Sequence, residues 1–320
     1  MDVRPQDLPE LRAELTAWNN EHGAAYFTGL VAAGHQAVHH NAASPAAAGR
    51  WITATDSHRL AEAELFFVTR EMTELVVTAA QTMPEWSLAP EDLPTPYGLI
   101  YLDGLSELRE FPTNAMSWGP CPQEVIDARN LRDAGLWLSH YVDMTDLPSL
   151  RDSFTRNGMP TPRLLYTGES MCAFGSHEPG NVSFYRDPET RDVIKATPQD
   201  LIKRVASLAV VKTAWLLMQQ PLADDTEVQP DRAVRKRLRR AGHEPAPVRV
   251  IELRRPKTSS SPGDSETSRE YHHRWITRGH WRQQWHPKRQ VHRPVWIAPH
   301  IKGPEGAPLI GGEKVYALKR

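Results

Sequence analysis

Residues 271 to 300 read YHHRWITRGHWRQQWHPKRQVHRPVWIAPH, a stretch with six His, four Trp and six Lys or Arg, and no Asp or Glu. Indole rings stack on unpaired bases, cationic side chains hold phosphate, and imidazole exchanges protons near neutral pH. Together these groups point to nucleic acid as ligand, with Arg274, Arg278, His280, Trp281, Arg282 and Gln283 as the candidate recognising residues. The same stretch supports a second reading, a metal-independent ribonuclease of toxin type. His280 and His273 would then be acid and base, with Arg278 and Arg282 opposing the charge that builds on phosphate. A 2′-hydroxyl nucleophile needs no metal, which fits the missing carboxylates. Histidines that hold a transition metal lean on carboxylate or carbonyl partners, and this stretch supplies no acid of its own, so no metal or cofactor is expected. The packing alternative makes Trp275, Trp281 and Trp296 core residues, and Trp296, between Val295 and Ile297, is read that way outright.

A second cationic stretch, DRAVRKRLRRAG at 231–242, carries six basic residues between Arg232 and Arg240. Helical spacing turns Val234, Leu238 and Ala241 inward and fans Arg232, Arg235, Lys236, Arg239 and Arg240 outward. Like charges three and four residues apart repel, and phosphates relieve that repulsion while releasing condensed cations. Arg235, Lys236, Arg239 and Arg240 are therefore assigned to phosphate contact. The plainer alternative is a solvated face, or one docked on acids of the same chain.

The net charge of −1 hides a polarity along the chain. Residues 228–320 hold 21 basic and 8 acidic side chains, whereas 1–227 hold 17 basic and 31 acidic. Such asymmetry suits a polyanionic partner, self-association, or docking of the acidic and basic parts within the chain. The preference for Arg over Lys, 29 to 9, suits phosphate but also follows from a GC-rich genome.

Other chemistries lack their signatures. No P-loop, no GxGxxG after a strand and no HExxH is present. GESMC at 168–172 begins like a nucleophile elbow, but Cys172 stands where Gly is needed. His35 and His39 share a helical spacing without a third ligand. The two cysteines, Cys121 and Cys172, form no CxxC, which argues for a reducing compartment. The N-terminus lacks the charge and apolar pattern of a signal peptide, and the most apolar region, near 205–218, is interrupted by Lys212. A soluble, cytoplasmic protein that does not engage a membrane is the expectation.

The elements that must position these groups follow from periodicity and punctuation. Residues 8–40 read as helix and 41–49 as an Ala/Pro/Gly loop. AELFFV leads as a strand into a helix capped by Thr69, with Leu75, Val76, Ala79 and Met83 at helical spacing. Strand-like runs follow at 97–104, 114–121, 135–143 and 163–175. A long helix opens after Thr197 with Pro198 at its first turn and is apolar around its girth, as a central core helix should be. The acidic, Pro-bounded run QPLADDTEVQP reads as a boundary. Four strand-like runs, beginning with PVRVIELRR, follow the basic helix, and Gly279 allows a close approach or kink. The fold class is α+β: an acidic mixed α/β domain at 1–222, a linker at 223–230, and a basic domain at 231–320. That second domain is read as the basic helix plus a small antiparallel sheet.

The run YHHRWITRGHWRQQW…RPVWIAPHIKGPEGAPL resembles a C-terminal signature, hRWxVRGHWRxQ…RPVWIxPyxKGPExAP. The signature occurs in uncharacterised proteins of actinobacteria and their phages and plasmids. The upstream AELFFVTREMTELVV…EWSLAPEDLPTPYGLIYL is similar to those proteins too. The resemblance implies an intracellular bacterial protein of a mobile element, a setting where DNA-handling and toxin-like roles are common. It assigns no activity. The chain departs from the pattern after HWRxQ, where the family continues with a Gly-rich turn and this sequence has WHPKRQVH. Nucleic-acid binding through the second domain, with single-stranded or structured RNA or DNA as ligand, is the leading functional expectation, followed by the ribonuclease and by a protein-interaction module that meets an acidic partner.

Overall fold

The computed structural model describes residues 3–33, 43–108, 113–123, 126, 135–175, 184–186, 193–195, 198–254 and 274–302. The helices are α1 (Leu8–Trp18), α2 (Ala24–Ala32), α3 (Pro45–Glu62), α4 (Arg70–Ala80), α5 (Leu105–Leu108), α6 (Pro148–Arg156), α7 (Pro198–Met218) and α8 (Arg232–Arg240). The strands are β1 (Glu64–Val68), β2 (Gly98–Leu102), β3 (Ala115–Pro120), β4 (Gly135–Asp143), β5 (Leu164–Ala173), β6 (Phe184–Arg186), β7 (Val193–Lys195), β8 (Ala223–Val228) and β9 (Val248–Leu253). The last four are β10 (Trp275–Thr277), β11 (His280–His286), β12 (Val291–Ile297) and β13 (His300–Lys302). The class is α+β, as expected. The chain divides into two compact units, 1–253 and 254–320.

The first unit is built on a seven-stranded mixed sheet in the order β5-β4-β3-β2-β1-β9-β8. Strand β1 pairs in parallel with β2 and with β9, and the remaining neighbours run antiparallel. One face carries Leu65, Phe67, Leu99, Tyr101, Val248 and Val250 against Leu8, Leu15, Phe27, Ile52 and Leu60 of α1 to α3. Alternation sends Phe66 and Trp118 to the opposite face, where Trp118 meets Phe66 at 5.6 Å and Trp215 of α7 at 5.1 Å between ring centroids. From Leu208 to Leu217 most side chains of α7 are buried, so the expected core helix is where its apolar girth demands. Thr197, expected to cap it, lies outside the described residues.

Four expectations are corrected. The run read as a loop at 41–49 contains the start of α3: Ser44 Oγ accepts from the Ala47 N–H at 3.2 Å, and Pro45 sits at the first helical position. The linker expected at 223–230 contains β8, an edge strand of the large sheet. Its acids face solvent, and Asp225 holds Arg249 of β9, so a polar composition marks an edge here rather than a boundary. The basic helix and β9 therefore belong to the first unit, and the division falls after Leu253 instead of at 223–230. Thr69 does occupy the cap position of α4, but its hydroxyl lies 3.4 Å from the Ile251 carbonyl oxygen instead of capping the helix.

The second unit is described by two two-stranded antiparallel ladders, β10 with β13 and β11 with β12. Among the described residues, no helix is long and apolar enough to cross a membrane.

Candidate functional site

Helix α8 presents the densest charge among the described elements. Val234 and Leu238 are buried and seat the helix, whereas Ala241, expected to join them, is exposed. Arg237 reaches Glu10 of α1, its Nη2 donating to Oε2 at 2.6 Å. Asp231, just before the helix, lies 3.5 Å from Arg4. The carboxylate of Glu10 raises the Arg237 pKa further, the hydrogen bond being the leading cause. Arg237 was not singled out from the sequence; its place beside the buried Val234 and Leu238, at the margin of the outward arc, is the signal for an anchoring role.

The other five cations, Arg232, Arg235, Lys236, Arg239 and Arg240, line one surface depression. They fall within about 140° of arc on a helix of 3.6 residues per turn. Among the described residues, none of these five forms an ion pair with an acid. The three basic residues in the last turn, Arg237, Arg239 and Arg240, face the negative end of the helix dipole, which favours them. Arg232 sits at the opposite, positive end, where a cation is disfavoured. The helix ends on Gly242 at φ +81°, with the His243 N–H donating to the Leu238 carbonyl at 2.9 Å and the Gly242 N–H to Arg239 at 3.1 Å. This is the left-handed C-terminal cap that glycine adopts without a steric penalty.

The 271–300 stretch is divided by its own pleat. In the β11–β12 hairpin, His280, Arg282 and Gln284 share one face, with Val295 and Arg293 across from Arg282 and Gln284. Trp281, Gln283 and Trp285 take the other, opposite Trp296, Pro294 and His292. The candidate recognising group is thus split, with His280 and Arg282 on one side and Trp281 and Gln283 on the other. Arg278 precedes the strand and is exposed, and Arg274 is half-buried at the start of β10. His280 is exposed, and its Nδ1 lies 3.1 Å from the Arg278 carbonyl oxygen, a contact that requires the proton on Nδ1. Arg282 donates to Gln284 Oε1 at 2.7 Å. His273, the proposed second catalytic group, and the His35 and His39 pair lie outside the described residues. Trp296 is buried, as read from its neighbours, and packs edge-on to Trp281 at 5.2 Å.

Gly279 leads into β11 beneath Trp296: a Cβ there would lie 2.4 Å from Trp296 Cζ2. The close approach expected at this residue is present. Gly279→Ala is expected to destabilise the second unit by about 1–3 kcal/mol, the usual range for overpacking. A lowered denaturation midpoint followed by tryptophan fluorescence would register it.

Sequence reasoning missed a buried polar cluster in the first unit. Between α1 and α2 the helix widens to a π-turn at Asn19–Gly23, which places Asn19 inside the molecule. Asp56 of α3 is fully buried; its Oδ2 accepts from Asn19 Nδ2 at 2.8 Å. Its Oδ1 accepts from Arg59 Nη2 at 3.0 Å, Ser139 Oγ at 2.8 Å and Tyr141 Oη at 2.8 Å. Arg59, 3% exposed, also reaches Ser139 Oγ at 2.8 Å and the Trp137 carbonyl at 3.3 Å. Asp56 is spaced four residues from both Ile52 and Leu60 on the buried stripe of α3, and a charge in that register was the available signal. The cluster is enclosed, so its evident work is to clamp α3 to β4 and to the π-turn at Asn19.

Burial pushes the nearby Cys121 thiol from 9.0 up to about 12, with the Arg59 charge opposing. Burial likewise raises the Tyr26 phenol from 10.0 to about 12. Such groups keep protons that the unfolded chain has released, so the stability they contribute is complete below the unfolded value and is lost as pH rises through the folded one. The urea midpoint is expected to fall from pH 9 towards about 12, and Cys121→Ala should lessen the fall. A midpoint that rises over that range would contradict this assignment.

Among the described residues, no group of three or more His, Cys, Asp or Glu side chains is placed to hold a metal ion. Comparison of the chain with protein-family models, curated proteins and solved structures gave no match.

Proposed function

We propose that this protein binds nucleic acid, with α8 as its phosphate-contacting element. The observation that carries the reading is the contrast along that helix: Glu10 takes Arg237, while five further cations have no acidic partner among the described residues. A partner supplying regularly spaced anions complements such a row. Residues four apart rise about 6 Å along a helix, so Arg232, Lys236 and Arg240 form a ladder about 12 Å long. The outward arc offers guanidinium and ammonium groups, which hold phosphate oxygens and can also reach guanine edges, but no Asn, Gln or aromatic side chain. Phosphate contact is the role assigned to this helix, because a row of like charges calls first for anions.

The hairpin of the second unit adds exposed Arg282 and Gln283 as further candidate contacts. Cytoplasmic location and origin in a mobile element belong to the same proposal.

The direct test is a fluorescence-anisotropy titration of labelled RNA and DNA at about 50 mM salt, repeated at about 200 mM. Saturable binding that weakens by about 10³-fold or more is expected if six or more phosphates are engaged. Failure to bind either nucleic acid at the lower salt would overturn the proposal.

A further inference from the structure

Trp285 is 48% exposed, the one aromatic side chain among the large, exposed hydrophobics of the described residues. It stands across β11–β12 from His292, with ring centroids 5.0 Å apart and planes inclined at 54°. The same face continues through exposed Gln283 to Trp281, which is braced by buried Trp296 and by buried Pro294 opposite Gln283. Residues two apart on a strand are spaced by about 7 Å, so this face offers ring, amide and ring in a line about 14 Å long. Exposed Lys288 lies in the adjoining turn, and no acid occurs anywhere in 271–300.

We propose that the Trp285–His292 face is a stacking site for unpaired bases, so that the ligand of this chain is single-stranded nucleic acid. The inference rests on the nucleic-acid reading above and narrows it. An exposed indole loses water at little cost when a flat ring covers it, and every base has a ring face, so the contact tolerates any sequence. In a duplex those faces are already stacked on their neighbours. The surrounding cations and the absence of acids select an anionic occupant, which a nucleotide is. The residues first singled out from the sequence end at Gln283; the structure moves the stacking position to the far end of the hairpin.

The test uses the full chain and an oligothymidylate of about 15 nucleotides, a length that covers a typical single-strand site. A duplex of equal length is titrated in parallel. Trp285→Ala is expected to weaken oligothymidylate binding by about 5- to 150-fold, the range of one lost stacking contact. Duplex binding and salt dependence should be unchanged, and Trp285→Phe should retain most of the affinity. Because Trp285 is half open to solvent and the Trp281–Trp296 pair is left intact, folding should survive; the Phe variant keeps the test decisive if it does not. Equal losses on duplex and single strand, or no loss on either, would overturn the stacking site while leaving nucleic-acid binding in place. Wild-type protein that binds neither would overturn the broader reading instead. Loss of binding to phosphatidylglycerol vesicles, with oligothymidylate affinity untouched, would identify a lipid contact and also overturn this inference.

Discussion

Asp56→Ala is expected to lower the stability of the first unit by about 3–5 kcal/mol, the usual cost of stranding one member of a buried ion pair. The substitution leaves Arg59 at 3% exposure without its carboxylate, and deprives Asn19, Ser139 and Tyr141 of their acceptor. Each of those is a buried donor with little access to water, so the loss exceeds that of one ordinary hydrogen bond. Asp56→Asn should be milder, since an amide oxygen still accepts but carries no charge. Replacing both residues, Asp56→Leu with Arg59→Met, should recover much of the loss, because the uncompensated charge disappears with its partner. Urea denaturation at pH 7 measures all three, and a double variant no better than Asp56→Ala would show that the pair acts separately. The effect should be confined to stability. Nucleic-acid affinity at temperatures where the variants are folded should be unchanged, because the cluster lies beneath α3 and α8 is seated by other residues.

The second large effect concerns α8. Changing Arg235, Lys236, Arg239 and Arg240 together to Ala is expected to weaken nucleic-acid binding by about 100-fold or more at low salt. None of the four is needed for seating, which falls to Val234, Leu238 and the Arg237–Glu10 pair. The replacement removes like-charge repulsion along the helix and substitutes the best helix former. The denaturation midpoint should hold or rise while affinity collapses. Loss of stability in parallel with binding would mean that the four cations serve the fold. Arg237→Ala should give the opposite pattern, loosening the helix end with a smaller effect on binding.

Some of this molecule was legible from residues alone. The strands at 98–102, 115–120, 135–143 and 164–173 lie within the runs expected for them, because short apolar stretches bounded by Gly, Pro, Asn and Asp leave little else to form. Their order in the sheet was not, since pairing β1 with β9 joins residues nearly two hundred positions apart and no local pattern encodes it. That same pairing is why the basic helix was assigned to the wrong unit. Its charge linked it to the basic tail, whereas Val234, Leu238 and the return strand β9 tie it to the large sheet. The 41–49 run misled for a chemical reason: Ala, Ser and Pro compose both loops and helix starts, and only the order Ser44 then Pro45 separates them. Within the candidate site, the charged arc of α8 was readable because helical spacing is rigid. The hairpin was readable in type but not in arrangement, since strand alternation separates His280 and Arg282 from Trp281 and Gln283. Gln290, at φ +50° in the turn between β11 and β12, occupies a left-handed position that glycine would fill without strain.

The central claim is that phosphates sit against the cations of α8, and the slope of log affinity against log salt measures it most directly. That slope should be compared for the wild-type chain and the Arg235, Lys236, Arg239 and Arg240→Ala variant on one oligothymidylate. Losing four phosphate contacts should flatten it by about 3 units, at roughly 0.7 per contact on a single strand. Identical slopes for the two proteins would place the counter-ion release elsewhere and contradict the account.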